Sequence, residues 1–142
     1  MFRTLTTGLA MGIFLCTTAL AENHDVQMLN RGDAGTMVFE PSFLQLAPGD
    51  TVTFLATDRG HSAESIEGML PDGAEPFSGR INEEIVVTFS TEGLYGISCK
   101  PHFAMGMVMT VAVGAVTIPD DFLEGRMPPK AKERFEEQLA NL

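Results

Sequence analysis

Tryptophan is absent, tyrosine occurs once, cysteine twice and histidine three times in 142 residues, so soft-ligand and titratable chemistry has few carriers. Basic residues are scarce too: nine Lys+Arg stand against nineteen Asp+Glu, a formal charge of −10. Without a Lys/Arg block, nucleic acid and anionic membrane surfaces are excluded as partners, because both reward clustered positive charge. No stretch reaches the ~20 apolar residues that a membrane-spanning helix needs. Internal repeats and low-complexity tracts are also missing. The chain has 44% hydrophobic and 20% charged residues, which excludes an acidic disordered segment, and its length allows one domain of ordinary size.

The first twenty-one residues, MFRTLTTGLAMGIFLCTTALA, have the parts of a secretory signal peptide: Arg3, an apolar run from Leu9 to Leu15, and the small-x-small signal Ala19-Leu20-Ala21. Cleavage is expected after Ala21, leaving residues 22–142 as a single domain. A lipid anchor on Cys16 is disfavoured by the bulky Leu15 before it. Removal takes Arg3 and no acid, so eight basic residues face nineteen acidic ones and the charge becomes −11. Cys16 goes as well. One cysteine, Cys99, then remains in an oxidising compartment where cysteines ordinarily pair.

From His24 to about Val113 the chain is punctuated by Gly, Pro and Asp, with short alternating runs between them, which predicts a sandwich or barrel of antiparallel strands. Val52 and Phe54 share a face, as do Ile85, Val87 and Phe89, and as do Tyr95, Ile97 and Cys99. In the last strand Met107, Met109, Val111 and Val113 take one face and Val108, Thr110 and Ala112 the other, so a central position is expected. Residues Glu64 to Glu84 read as a long irregular connection with one short strand. Two short helices are expected at the C-terminus: one starts near Pro119-Asp120-Asp121 and ends at Gly125, and the other carries Ala131, Phe135, Leu139 and Leu142 on its apolar face.

The remaining thiol lies in Ser98-Cys99-Lys100-Pro101-His102-Phe103-Ala104-Met105-Gly106-Met107, which puts a thiol, an imidazole and thioethers in one inter-strand loop. Cys-x-x-His alone is a weak signal, compatible with zinc, a catalytic thiol or an inert core cysteine. A hydrolase would further need an orienting carboxylate and an oxyanion site that the sequence does not announce. His61, after Gly60 and downstream of the Val52/Phe54 strand, is the nearest other ligand. Two imidazoles, one thiolate and a thioether match the trigonal copper site with a weak axial ligand. Spacing alone leaves both Met105 and Met107 open as the thioether.

These residues resemble the cupredoxins, the type 1 blue copper family, and within it the pseudoazurin group. The resemblance covers nearly all of residues 22–142, including Met37-Val38-Phe39-Glu40-Pro41, Pro48 to Phe54, Gly60-His61, Glu64-Ser65-Ile66 and the Cys99–Met107 loop. It implies an all-β Greek-key sandwich of about eight strands holding one copper ion, with His61, Cys99, His102 and Met107 as ligands. It also implies a periplasmic electron carrier rather than an enzyme. The expected partners are a copper nitrite reductase or related denitrification protein, or a c-type cytochrome, docked transiently on a monomer around His102. The alternative function is periplasmic copper binding and delivery.

By the same resemblance Met37 lies near the exposed ligand histidine and Pro101 shapes the ligand loop. Ser62 stands where the group usually has asparagine, so an altered loop hydrogen bond is expected. The expected docking surface is a small apolar patch of Met37, Pro101, Phe103 and Met105, with Lys100, Arg59 and Arg80 as its few basic neighbours. Met109 is expected in the core, with Tyr95 and the eight phenylalanines that follow the leader. His24 is expected to be an exposed strand residue. Cleavage after Ala21 would, however, make Glu22-Asn23-His24 a chelating terminus for copper(II).

Overall fold

The structure, a computed structural model, describes residue 16 and residues 18–142. Most of the expected leader therefore lies outside the described residues. Eight strands follow in chain order: β1 (Asn23–Gly32), β2 (Gly35–Glu40), β3 (Phe43–Leu46), β4 (Asp50–Leu55), β5 (Glu64–Ser65), β6 (Ile85–Phe89), β7 (Gly93–Ser98) and β8 (Val108–Val113). A short 3-10 helix (Lys100–Met105) lies between β7 and β8, and among the described residues one α-helix, α1 (Pro129–Leu139), completes the order. Among the described residues no helix is long and apolar enough to cross a membrane.

Period-two alternation builds the sheets. In β4, Asp50, Val52 and Phe54 are buried while Thr51, Thr53 and Leu55 are half-buried on the other side. One sheet has the order β2-β1-β4-β6 and the other β3-β8-β7-β5. Val26, Met28, Phe39, Val52, Phe54 and Phe89 form one core cluster with Tyr95, Ile97, Met109, Val111 and Val113. Phe89 meets Tyr95 edge to face at 5.0 Å, and the Tyr95 hydroxyl donates to the Thr91 carbonyl at 2.6 Å.

The fold corrects two expectations. Not every strand pair is antiparallel: β1 runs parallel to β4, with Val26 opposite Phe54, and β3 parallel to β8, with Leu44 opposite Val111. The chain crosses between sheets at Pro41-Ser42 and returns at the Ala47–Gly49 turn, so strands that meet again after a crossing share a direction. The first C-terminal helix is also replaced by turns, with Phe122 N–H donating to the Pro119 carbonyl and Glu124 N–H to that of Asp121. The seven residues from Pro119 to Gly125 are too few to nucleate a helix alone, and burial of Phe122 fixes the segment instead.

Strand β8 is interior to its sheet and buried throughout, as its doubly apolar pattern predicts. Its outer residues Val108 and Ala112 join Ala131, Phe135 and Leu139 of α1 in a second core, whereas Leu142 lies past the helix and is exposed. Gln138 is buried with them. Its amide donates to the Val108 carbonyl at 2.9 Å and accepts from the Thr110 hydroxyl at 2.9 Å, so helix and strand are joined by satisfied polar groups.

The first strand is anchored at Asp50, a buried carboxylate that accepts from Glu22 N–H at 2.9 Å and Ala47 N–H at 3.0 Å. These two donors, the Glu22 amide first, hold Asp50 below the ordinary carboxylate value; burial opposes them and His24 adds to them. The resulting stability is complete above the unfolded value of 3.8 and is lost as pH falls through the depressed native one. Urea midpoints at neutral pH should therefore fall for Asp50→Asn, and the gap to the parent chain should close at pH values below the native titration. A gap that persists there would contradict the anchor.

Candidate metal centre

Cys99 leaves β7 as the chain enters a 3-10 turn over Lys100–Met105, with Pro101 near its start and Gly106 at its end in the left-handed region at φ 83°. A side chain at Gly106 would collide with Lys130 of α1, so the turn and the helix need glycine there. Three backbone bonds close the loop: His102 N–H to the Cys99 carbonyl, Met107 N–H to the His102 carbonyl, and Cys99 N–H to the Met107 carbonyl. These bonds tie the two ends of the loop, Cys99 and Met107, to each other and His102 to both.

His61 arrives from the segment after β4. Asn82 grips that segment twice, accepting from Gly60 N–H at 2.7 Å and donating its own N–H to the His61 carbonyl at 2.9 Å. The His61 and His102 Nδ1 atoms lie 3.1 Å apart, and Cys99 Sγ lies 3.7 Å from the first and 3.5 Å from the second. A point equidistant from all three lies about 2.0 Å from each, the length of a bond from a nitrogen ligand to a first-row dication. Geometry thus fits a single ion in the plane of two imidazoles and a thiol.

Of the two methionines flanking Gly106, Met107 is fully buried in the same core cluster as Cys99, whereas Met105 is 49% exposed. Met109 is buried, as expected. His61 and Cys99 have no exposure, but His102 is partly exposed, giving the site one edge toward solvent. Around that edge Pro101 and Met105 are exposed, and Met37 and Phe103 half-buried.

Neighbouring groups set proton positions. Asn30 Oδ1 lies 2.8 Å from His61 Nε2, so the ring donates from Nε2 and leaves the Nδ1 lone pair facing the thiol. Burial pushes the His61 imidazole below its ordinary value; the neighbouring His102 adds to this, and Asp58 opposes it. Burial pushes the Cys99 thiol up, against a hydrogen bond from Ser62 N–H to Sγ at 3.5 Å. At neutral pH the metal-free site thus has a neutral His61 and a protonated Cys99. Loading with a divalent ion should release about one proton, and affinity should rise with pH up to the thiol value. Calorimetry in buffers of different ionisation enthalpy measures this; release near zero would contradict a thiolate ligand.

Ser62 reaches the loop despite its short side chain: its hydroxyl oxygen accepts from Lys100 N–H at 3.3 Å, and its own N–H faces Cys99. Asn30 and Asn82 are functional residues that sequence reasoning did not single out, because strand and loop pairing alone brings them behind His61. His24 is half-buried rather than exposed, with Nε2 3.4 Å from Asp50. The backbone of Asn23 and His24 is committed to the β1–β4 ladder. A square-planar site at Glu22-Asn23-His24 would have to undo that pairing.

A two-sheet β-sandwich presenting two imidazoles, a buried thiol and a buried thioether at one end defines a cupredoxin-type centre, and comparison with known proteins agrees. Residues 26–114 match the family model for copper binding proteins of the plastocyanin/azurin family. Pseudoazurin from Paracoccus pantotrophus is 45% identical over 129 residues, covering 90% of this chain and 89% of that protein. Pseudoazurin from Methylorubrum extorquens is 47% identical over 80% of this chain and 78% of its own. The crystal structure of pseudoazurin from Hyphomicrobium denitrificans superposes with a TM-score of 0.79 at 41% identity, covering 84% of this chain and 98% of that one. The chain belongs to the pseudoazurin branch of the plastocyanin/azurin family, the blue copper electron-transfer proteins that bind one copper ion.

Proposed function

We propose that residues 22–142 form a monomeric periplasmic electron carrier whose type 1 copper is held by His61, Cys99, His102 and Met107. The observation that carries this reading is the triangle of Cys99 Sγ and two Nδ1 atoms with edges of 3.1 to 3.7 Å, buried except at His102. Copper held there supplies a one-electron copper(I)/copper(II) couple, to which a thiolate, two imidazoles and a weak thioether are all acceptable ligands. The chain's own part is rigidity. Asn30 fixes the His61 ring, the backbone bonds of the loop fix His102 and Met107, and the Ser62 N–H steadies the Cys99 sulfur. Donor atoms that need not move between two oxidation states keep reorganisation small and transfer fast.

His102 is the proposed exit for the electron, because it alone of the four has an exposed edge. Pro101 and Met105 supply an apolar contact beside it, and Lys100 an exposed positive charge, on a chain that is otherwise strongly acidic. The proposed acceptor is a copper nitrite reductase or a related denitrification protein, engaged transiently. Local basic steering predicts that transfer to an acidic acceptor slows as salt is added. Stopped-flow rates between 20 mM and 500 mM salt test this. A rate that rises with salt would overturn the basic-spot docking, and a reduced protein that no acceptor reoxidises would overturn the carrier role.

A further inference from the structure

Arg134, on α1, lies at the junction of three segments that are far apart in sequence. Its Nη1 donates to the carbonyls of Met37 at 2.6 Å and Gly106 at 2.8 Å, and its Nη2 donates to that of Thr36 at 2.8 Å. Every acceptor is a main-chain carbonyl, and none belongs to its own helix. A half-buried guanidinium with its donors spent this way fixes backbone rather than offering charge to solvent.

Both ends of this clamp lead to the metal centre. The Gly106 carbonyl belongs to the peptide unit whose N–H is that of Met107, and that N–H donates to the His102 carbonyl at 3.1 Å. Arg134 therefore sets the plane of the one peptide that links the buried thioether residue to the partly exposed histidine. On the other side, the β1–β2 register runs Leu29 with Val38 and Arg31 with Thr36, which places Met37 opposite Asn30. Asn30 is the residue behind His61. Met37 itself has φ 53°, a left-handed conformation costly for a side chain of its size, and such a conformation persists only where surrounding contacts over-determine it. The two Arg134 bonds on Thr36 and Met37 are such contacts.

We propose that Arg134 is a positioning residue for the metal centre: it locks the ribbon that holds His61 in orientation to the loop that carries His102 and Met107. This rests on the copper assignment for its spectroscopic consequence but not for its mechanical one. The charge of the side chain is secondary to its fork: the planar guanidinium reaches the three carbonyls from two separate nitrogens, whereas a lysine ammonium would have to present its three donors from a single atom.

The test compares the parent chain with Arg134→Lys, which keeps charge and much of the stem, and with Arg134→Gln. In metal-free protein the Met107 and Val38 amides should exchange with solvent at least tenfold faster in both variants, while amides of β4 and β7 away from the site keep their parent rates. In copper-loaded protein both variants should shift the visible band ratio and the paramagnetic spectrum in the same direction, with lysine giving no rescue. Should Arg134→Gln fail to fold, Arg134→Lys alone decides. Uniformly faster exchange across both sheets with an unshifted spectrum would overturn the proposal in favour of a global stabilising role. Full rescue by lysine would overturn the fork. A parent chain that binds copper without a blue band would refute the copper assignment and leave the exchange comparison intact.

Discussion

Cys99→Ser is expected to abolish the blue colour and the reversible one-electron couple together while the fold survives. The thiol is fully buried at the end of β7, and serine is nearly isosteric with it. Ser62 N–H and the two imidazoles remain as polar partners for the new hydroxyl, so the exchange does not strand a buried donor. On the proposed ligand set, what would disappear is the soft, strongly donating ligand suited to copper electron transfer, because a neutral hydroxyl neither sheds its proton near neutral pH nor couples the metal to the chain. Visible spectra and voltammetry of copper-treated protein check the loss. Circular dichroism and the urea midpoint check the fold. A variant that keeps an intense blue band would exclude Cys99 as a ligand.

Phe135→Ala should cost about 3–5 kcal/mol of folding stability, the range for emptying a large aromatic from a packed core. Phe135 has no exposed surface, meets Phe122 edge to face with ring centres 6.2 Å apart, and shares a cluster with Val108, Ala112, Ala131 and Leu139. The cavity would open between α1 and β8, where Gln138 also bonds the Val108 carbonyl. Urea unfolding followed by circular dichroism measures the loss, and Glu136→Ala, on the exposed side of the same helix, is the control expected within ±0.5 kcal/mol. A loss under 1 kcal/mol would mean that α1 is peripheral.

Which of these features the sequence carried depends on the range over which each is encoded. The strands were legible because alternation is local, and the doubly apolar Met107–Val113 run marks the interior place that β8 takes between β3 and β7. Parallel pairing of β1 with β4 was not legible, because direction depends on where the chain crosses between sheets. The turn at Pro119–Glu124 carries the start and stop signals of a helix without the length to form one. At the site, Cys99, His102 and Met107 fall within nine residues and their chemistry is readable as a motif, while His61, far upstream, was legible only as the nearest other histidine and through the family resemblance; the fold is what puts its Nδ1 3.7 Å from Cys99 Sγ. Asn30 has no local signal at all: an asparagine in a strand becomes the partner of His61 only because β1 passes behind it. Arg134 is hidden for the same reason, looking like one more charge on a solvated helix face until the fold brings Met37 and Gly106 to it.

One measurement bears most directly on the metal centre: visible and paramagnetic spectra of residues 22–142 loaded with one equivalent of copper(II). The predicted result is an intense thiolate-to-copper band that bleaches on reduction and returns on oxidation, with one copper per chain. A colourless copper complex, or a chain that holds zinc tightly and excludes copper, would contradict the assignment of His61, Cys99, His102 and Met107.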